Sequence, residues 1–237
     1  MADIAARPLV IAHRGASGHR PEHTIEAYRL AIEQGADVVE PDLVMTRDGV
    51  LIARHENEIG ETTDVAGKFP ERRREGIIDG RTVVGWFVED FTLAEIRTLR
   101  ARERLPFRSH ALDGRFEIPT FDEILAFVRS EERRVGRRIG LYPETKHPSH
   151  HEALGLAITD ALLGALERFG YTDRDDPVWV QSFEVGNLRH ARSRSGLELI
   201  QLVDVEGGPA DRPGVSYREM IAPAGLREVA EDADGIG

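Results

Sequence analysis

Cysteine is absent from the 237 residues. That excludes thiol nucleophiles, thiolate metal centres and disulfide frameworks together, so oxygen and nitrogen must carry whatever chemistry the chain performs. Lysine is scarce as well: Lys68 and Lys146 stand against 29 arginines, a bias that makes Lys146 a position to watch. Positive charge is in deficit, with 31 basic against 42 acidic residues and a formal net charge of -11. No global basic footprint exists to collect nucleic acid or an anionic membrane surface, and a phosphate-bearing ligand must be held by a local site. No apolar run reaches the length of a membrane-crossing helix, and the opening MADIAARPLV lacks the apolar core of a secretory leader. As written, the chain reads as soluble and unexported. The 41% of apolar residues suffices for a sizeable core and excludes collagen-like, disordered and coiled-coil readings.

Residues 9–13, LVIAH, form a short continuous apolar run of the kind found in a strand buried on both faces. Apolar residues at helical spacing predict a helix over 24–34, closed by Gly35. Residues 37–45 read as a second strand, and Arg47-Asp48-Gly49 turns the chain into a third over 50–54. From Glu56 to Pro119 the pattern loosens into charged loop, interrupted by one helix over 91–103 in which Thr92 and Glu95 make a capping box. Alternation then resumes with helix 120–130, strand 139–144, helix 150–169, strand 178–182, helix 184–195 and strand 197–203. A second irregular stretch around 207–217 leads to a helix near 222–230, and the terminal ADGIG reads as the start of a seventh strand. Repeated strand–helix units argue for a parallel sheet, either open and doubly wound or closed as an eightfold barrel. No internal repeat, low-complexity tract or linker divides the chain, so 1–237 reads as one domain.

In parallel α/β folds, catalytic side chains collect at the carboxyl ends of strands. Four strand candidates end in such residues: His13 with Arg14, Glu40 with Asp42, His55, and Glu144 with Lys146. Residues two apart on a strand share a face, so each of the pairs Glu40/Asp42 and Glu144/Lys146 points one way. Three close carboxylates repel, and either raise one another's pKa or recruit a cation. All-oxygen ligation favours a hard divalent ion, Ca²⁺ or Mg²⁺, over zinc. Each feature has a plain structural reading too: a hydrogen-bonded histidine, a solvated edge, a surface ion pair between Glu144 and Lys146. Their joint occurrence at one end of four strands is what favours a site. The run His147, Ser149, His150, His151 is read as a helix start with a Ser149–Glu152 capping box rather than a zinc site. Pro21-Glu22-His23-Thr24 is likewise read as helix entry, and Trp86, Phe87 and Phe91 as packing.

These residues resemble the glycerophosphodiester phosphodiesterase family. The matching text is IAHRGASGHRPEHTIEAYRLAIEQGAD, VVEPDLVMTRDGVLIARHE, ETTDVAGKFPERR, DFTLAEIRTL, IPTFDEILAFV and LYPETK, and it covers nearly the whole chain. The pieces TTDVA, FPER, YPETK and ADGIG look like the longer, periplasmic bacterial branch. The resemblance implies an α/β fold, a (β/α)8 TIM barrel with an insertion after the third strand at 56–119. It also implies that about six of eight strand–helix units are present, so the barrel reads as truncated. Strands 9–13 and 197–203 would then lack neighbours, and the isolated chain would be adhesive or weakly active. Carried over position by position, Glu40, Asp42 and Glu144 resemble the metal ligands, His13 and His55 the acid–base pair, and Arg14 and Lys146 the phosphate contacts. Two departures stand out: Pro41 between two ligands, and Glu56 after His55 where aspartate is usual.

The activity implied is metal-dependent hydrolysis of a small-molecule glycerophosphodiester to sn-glycerol 3-phosphate and an alcohol, with no nucleic-acid partner and no membrane span. Two alternatives stay open: a phospholipase D-like enzyme acting on lysophospholipids, and a non-catalytic phosphodiester-binding remnant. The sequence selects neither Ca²⁺ nor Mg²⁺, and neither a head group nor an oligomeric state.

Overall fold

The structure is a computed structural model that describes residues 8–237; most of the opening segment read above for a leader lies outside the described residues. Leaving β1 (Ile11–His13), the chain turns through Arg14 and Gly15, at φ 63° and 80°, and reaches α1 (Ile25–Glu33). Gly15 is needed for two reasons. Its φ suits a residue without a side chain, and a Cβ there would sit 2.7 Å from the Ala27 carbonyl carbon. Thr24 closes the helix start by accepting a hydrogen bond from the Ala27 N–H. The strand predicted over 37–45 is present in two pieces, β2 (Val38–Glu40) and β3 (Asp42–Met45), divided at Pro41, and β4 (Leu51–Ala53) folds back antiparallel on β3.

Residues 56–119 hold more structure than their charge-rich sequence suggests: α2 (Val65–Lys68), a hairpin of β5 (Arg74–Ile78) and β6 (Arg81–Gly85), and α3 (Leu93–Ile96). The helix that spacing predicts over 91–103 is a single turn. Its Thr92–Glu95 capping box is formed, but beyond it the backbone finds distant partners. The Ala101 N–H donates to the Phe116 carbonyl and the Asp64 N–H to that of Arg100, which satisfies the main chain without a helix.

The remaining elements are α4 (Phe121–Val135), β7 (Gly140–Leu141), β8 (Glu144–Thr145), α5 (Pro148–Ala153), α6 (Ile158–Arg168), β9 (Trp179–Ser182), α7 (Gly186–Arg194), β10 (Glu198–Gln201), α8 (Tyr217–Met220), α9 (Pro223–Asp232) and β11 (Gly235–Ile236). The helix predicted over 150–169 is two helices, divided near Gly155 at φ 76°. The predicted Ser149–Glu152 capping box does not form, because Ser149 gives both its N–H and its hydroxyl to Glu184.

Parallel pairing runs from β1 to β2, β2 to β7, β3 to β8, and on through β9, β10 and β11. Pro41 and Pro143 interrupt strand geometry but not the ladder. The N–H groups of Gly140, Tyr142, Glu144 and Lys146 donate in turn to the carbonyls of Asp37, Val39, Pro41 and Leu43; each proline sits where no N–H is required of it. β1 and β11 stand at the two ends of this order, and no closed barrel forms among the described residues. β1 is not the doubly buried strand its composition predicts, since Val10 and Ile11 are 53% and 43% exposed. β10, by contrast, does not lack a neighbour: β9 and β11 pair with it on either side.

Neighbouring residues of β3 serve opposite faces. Leu43 and Met45 enter the main core with Tyr28, Leu125, Leu162 and Val180, while Val44 enters a second apolar cluster with Ile52, Ile59, Phe91 and Leu99 beneath the insertion. Phe87 and Phe91 are fully buried, and Trp86 packs on that second cluster. No helix among the described residues is long and apolar enough to cross a membrane.

Candidate active site

The ladder register brings the polar strand ends together. His13 pairs with Glu40 across β1 and β2, and Asp42 with Glu144 across β3 and β8. Ligand oxygens of Glu40, Asp42 and Glu144 consequently lie within 4.8 Å of one another, all three residues buried. The sheet thus forces together three carboxylates that repel, and the surroundings apportion the strain. Burial would raise Asp42, but hydrogen bonding to His23 and the nearby positive groups hold it well below the ordinary range. Burial and the neighbouring carboxylates push Glu40 well up. Glu144 rises to about 8 through burial and the Asp42 charge, in spite of Lys146.

Partners are in place for most of these oxygens. Glu40 accepts from the Arg14 N–H at 2.9 Å and from Gln181 Nε2 at 3.2 Å. Asp42 Oδ2 lies 2.8 Å from His23 Nε2 and 3.4 Å from Arg14 Nε. Lys146 Nζ donates to Glu144 Oε1 at 2.8 Å. This is no surface ion pair: both side chains are buried. Asp42 Oδ1 is the exception, buried and without a donor. A cation, a water, or a proton shared with Glu40 or Glu144 would satisfy it.

The two strand-end histidines differ in setting. His13 is exposed at the end of β1, and partial burial together with the Arg14 charge holds its pKa below the usual imidazole value. His55 follows β4 and is gripped from both sides: Nδ1 is 2.9 Å from Glu56 Oε1, and Nε2 is 3.4 Å from Lys146 Nζ. A carboxylate acceptor at Nδ1 fixes the proton there and leaves the Nε2 lone pair facing the site. The chain of contacts continues outward. Glu56 Oε2 bonds His147 Nε2 at 2.8 Å, and His147 Nδ1 bonds Asp79 Oδ2 at 2.7 Å, at the turn of the β5–β6 hairpin. Burial disfavours the His147 cation, but its two carboxylate hydrogen bonds carry its pKa up to about 9. His150 bonds Glu89, and both His151 ring nitrogens are buried without a partner. Among the described residues these histidines form no metal-binding group with acidic side chains.

Several contributors were hidden in what reads as a helix entry. Glu22 is buried and takes Arg14 and Arg104 on its carboxylate. His23 is fully buried, holding Asp42 through Nε2 and Tyr28 Oη through Nδ1. Arg54, also fully buried, donates to the Glu22 carbonyl at 2.8 Å. The signal available was local: charged and imidazole side chains immediately before a helix whose cap is already Thr24.

A model of the glycerophosphoryl diester phosphodiesterase family matches residues 13–236. A glycerophosphodiester phosphodiesterase of Haemophilus influenzae is 35% identical over 97% of this chain and 68% of its own length. One from Arabidopsis thaliana is 34% identical over 98% of this chain and 65% of its own length. The chain therefore spans about two thirds of the length of these relatives. A solved structure of an Oleispira antarctica phosphodiesterase in complex with the product sn-glycerol-3-phosphate aligns with a TM-score of 0.68 at 22% identity, covering 97% of this chain and 74% of that one. That likeness concerns the fold, which is a TIM-barrel-like α/β fold. With family model and near-full-length relatives in agreement, the chain belongs to the glycerophosphoryl diester phosphodiesterase family and is a phosphoric diester hydrolase.

Proposed function

We propose that the chain hydrolyses glycerophosphodiesters to sn-glycerol 3-phosphate and an alcohol, with a divalent cation held by Glu40, Asp42 and Glu144. The observation that carries this reading is the buried carboxylate cluster with its unsatisfied Asp42 Oδ1, which fits a hard cation through oxygen donors alone. When bound, such an ion supplies charge neutralisation and a template for glycerol hydroxyl and phosphoryl oxygens. His55, its Nδ1 proton committed to Glu56, offers Nε2 as a proton acceptor, and His13 completes the acid–base pair from the other strand end. In-line displacement at phosphorus places attacking and leaving oxygens on opposite sides, which is why two groups on different strands are needed. Arg14 contributes a planar fork to the phosphate oxygens and Lys146 a point charge. The product bound by the Oleispira antarctica protein supports sn-glycerol 3-phosphate as the retained half.

The test is release of sn-glycerol 3-phosphate from glycerophosphocholine, followed with a glycerol-3-phosphate dehydrogenase indicator. Turnover is expected to fall at least about a hundredfold in excess chelator and to return with Ca²⁺ or Mg²⁺. Full turnover in chelator, with metal analysis showing no bound ion, removes the cation from the account.

A further inference from the structure

We propose that Arg104, near the far end of the insertion, is a positioning residue for the diester reaction: acting through Glu22, it sets the Arg14 guanidinium on the phosphate. This rests on the diester reading above and adds to it a residue that the strand ends do not supply.

The Arg14 side chain needs help to keep one orientation. Its backbone stands at φ 63°, a conformation that a residue with a long side chain keeps only where the surroundings impose it. The main chain is pinned: the Arg14 N–H donates to Glu40 Oε2 at 2.9 Å, and the Arg14 carbonyl accepts from the His23 N–H at 3.2 Å. The guanidinium is held less firmly. Nε lies 3.4 Å from Asp42 Oδ2 and forms no hydrogen bond among the described residues. Nη1 donates to both oxygens of Glu22, at 3.3 and 3.4 Å. Charge-assisted hydrogen bonds at full strength are about 2.7–2.9 Å long. Glu22 therefore guides the guanidinium without locking it, and the place of the Glu22 carboxylate decides where Arg14 points.

That carboxylate is placed by Arg104, whose Nε donates to Glu22 Oε2 at 3.2 Å across 82 positions of sequence. The fully buried Arg54 anchors only the Glu22 backbone, through its carbonyl at 2.8 Å. Glu22 is 3% exposed. Burial alone would raise its pKa, but the charges of His23, Arg14, Arg104 and Arg54 outweigh burial and hold it below the usual carboxylate value, so it stays an anion. A single oxygen, Oε2, thus joins Arg14 to Arg104.

The arm that carries Arg104 is fastened on both sides of it. Arg108 Nη1 donates to the Ser17 carbonyl at 2.9 Å, in the turn that follows Arg14. Within the arm the buried Glu103 accepts from the Leu105 N–H at 2.8 Å and gives its own N–H to Asp113 at 2.8 Å. The arm consequently meets the turn at Ser17 and again at Glu22. A partly exposed ion pair of this kind contributes little to stability. Its value is geometric, because a shift of about 1 Å in a group that orients substrate can cost about a hundredfold in rate.

The experiment is a double-mutant cycle of Arg14→Ala and Arg104→Ala, read as kcat/KM for glycerophosphocholine with Tm recorded for every variant. The Arg104 side chain is 32% exposed, so its truncation is expected to leave the fold intact. Arg104→Ala is expected to lower kcat/KM about tenfold in the wild type and less than about twofold once Arg14 is gone. Arg104→Lys keeps a cation for Glu22 and is expected to recover most of the loss, since the single Nε contact asks for no planar fork. An equal loss in both backgrounds, an unchanged kcat/KM in Arg104→Ala, or a lysine variant as impaired as the alanine one overturns the proposal. A merely structural role would lower Tm and act equally in both backgrounds. Calorimetric titration of sn-glycerol 3-phosphate runs the same cycle without turnover. Binding weakened by each single change, and no further by the two together, supports the positioning role even where no diester is cleaved. Additive weakening with turnover intact overturns it and leaves the hydrolase reading standing.

Discussion

Two groups of carboxylates lie close together in this molecule, and they solve the same electrostatic problem differently. Glu56 and Asp79 share His147, whose two ring nitrogens reach both of them at 2.8 and 2.7 Å; the protein supplies its own cation and the group is closed. Glu40, Asp42 and Glu144 have Lys146, Arg14 and His23 around them, yet Asp42 Oδ1 is left with no donor. The first group ties the insertion to the strand ends, and its energetics are those of structure. The second leaves one buried carboxylate oxygen without a protein donor. Acidic density is common to both groups; the unsatisfied buried oxygen is what separates them, and the proposed cation site rests on it.

The largest effect is expected at the two strand-end histidines, of which His55 joins the two groups through Glu56 and Lys146. His55→Ala and His13→Ala are each expected to lower kcat by about a hundredfold or more, with weaker effects on binding of a substrate analogue. Steady-state kinetics on the purified variants decides it. A wild-type kcat in either removes that residue from the proposed acid–base pair.

The difference between the two groups also explains what was legible in the sequence. Glu40, Asp42 and Glu144 lie on strands and Lys146 directly follows one, so the two-residue period and parallel register transmit sequence spacing directly into space. The closed group cannot be read that way, because Glu56, Asp79 and His147 meet across loops separated by as many as 91 positions. His23 was missed for a related reason: its role depends on a buried contact with Asp42, not on the helix it precedes. The β5–β6 hairpin did carry a signal, Asp79-Gly80, both at positive φ (48° and 75°) and joining the paired residues Ile78 and Arg81. The β1 burial was misjudged because an apolar run does not reveal whether a strand lies at the end of its sheet; Val10 and Ile11 are on such an end. The shortened α3 shows the converse: a correct capping box starts a helix but cannot prolong it against long-range backbone bonds.

If the Glu56–His147–Asp79 group is closed and structural, it must show in the pH dependence of stability. The folded pKa of His147 is raised from 6.5 to about 9, so its contribution is fully present below about pH 6.5 and is lost as pH climbs through about 9. Glu56 and Asp79 are partly exposed, which reduces the effect to about 2 kcal/mol. His147→Asn, which tolerates the left-handed backbone at φ 47°, should abolish that part. Denaturant melts at pH 6.5 and 9 measure it as the difference between wild type and variant. Identical pH dependence in the two sharpens the comparison in the opposite direction, towards a catalytic rather than structural role.

A smaller effect contrasts sheet and insertion away from the charges. Both α4 and α3 begin with a completed capping box, at Thr120 and at Thr92. Thr120→Ala is expected to cost about 1 kcal/mol of stability, and Thr92→Ala no more than that, since it caps a single turn. Urea denaturation reports both. A larger loss at Thr92 shows that the insertion supports the sheet more than its short helix implies.

The central claim is that Glu40, Asp42 and Glu144 are completed by a divalent cation, and thermal unfolding with and without metal tests it most directly. Titrating Ca²⁺ or Mg²⁺ into metal-stripped protein is expected to raise Tm progressively, because a ligand that binds only the folded state stabilises it by mass action. The rise should be lost in Asp42→Asn and in Glu144→Gln. A Tm indifferent to both ions, or one that rises equally in wild type and both variants, contradicts the account.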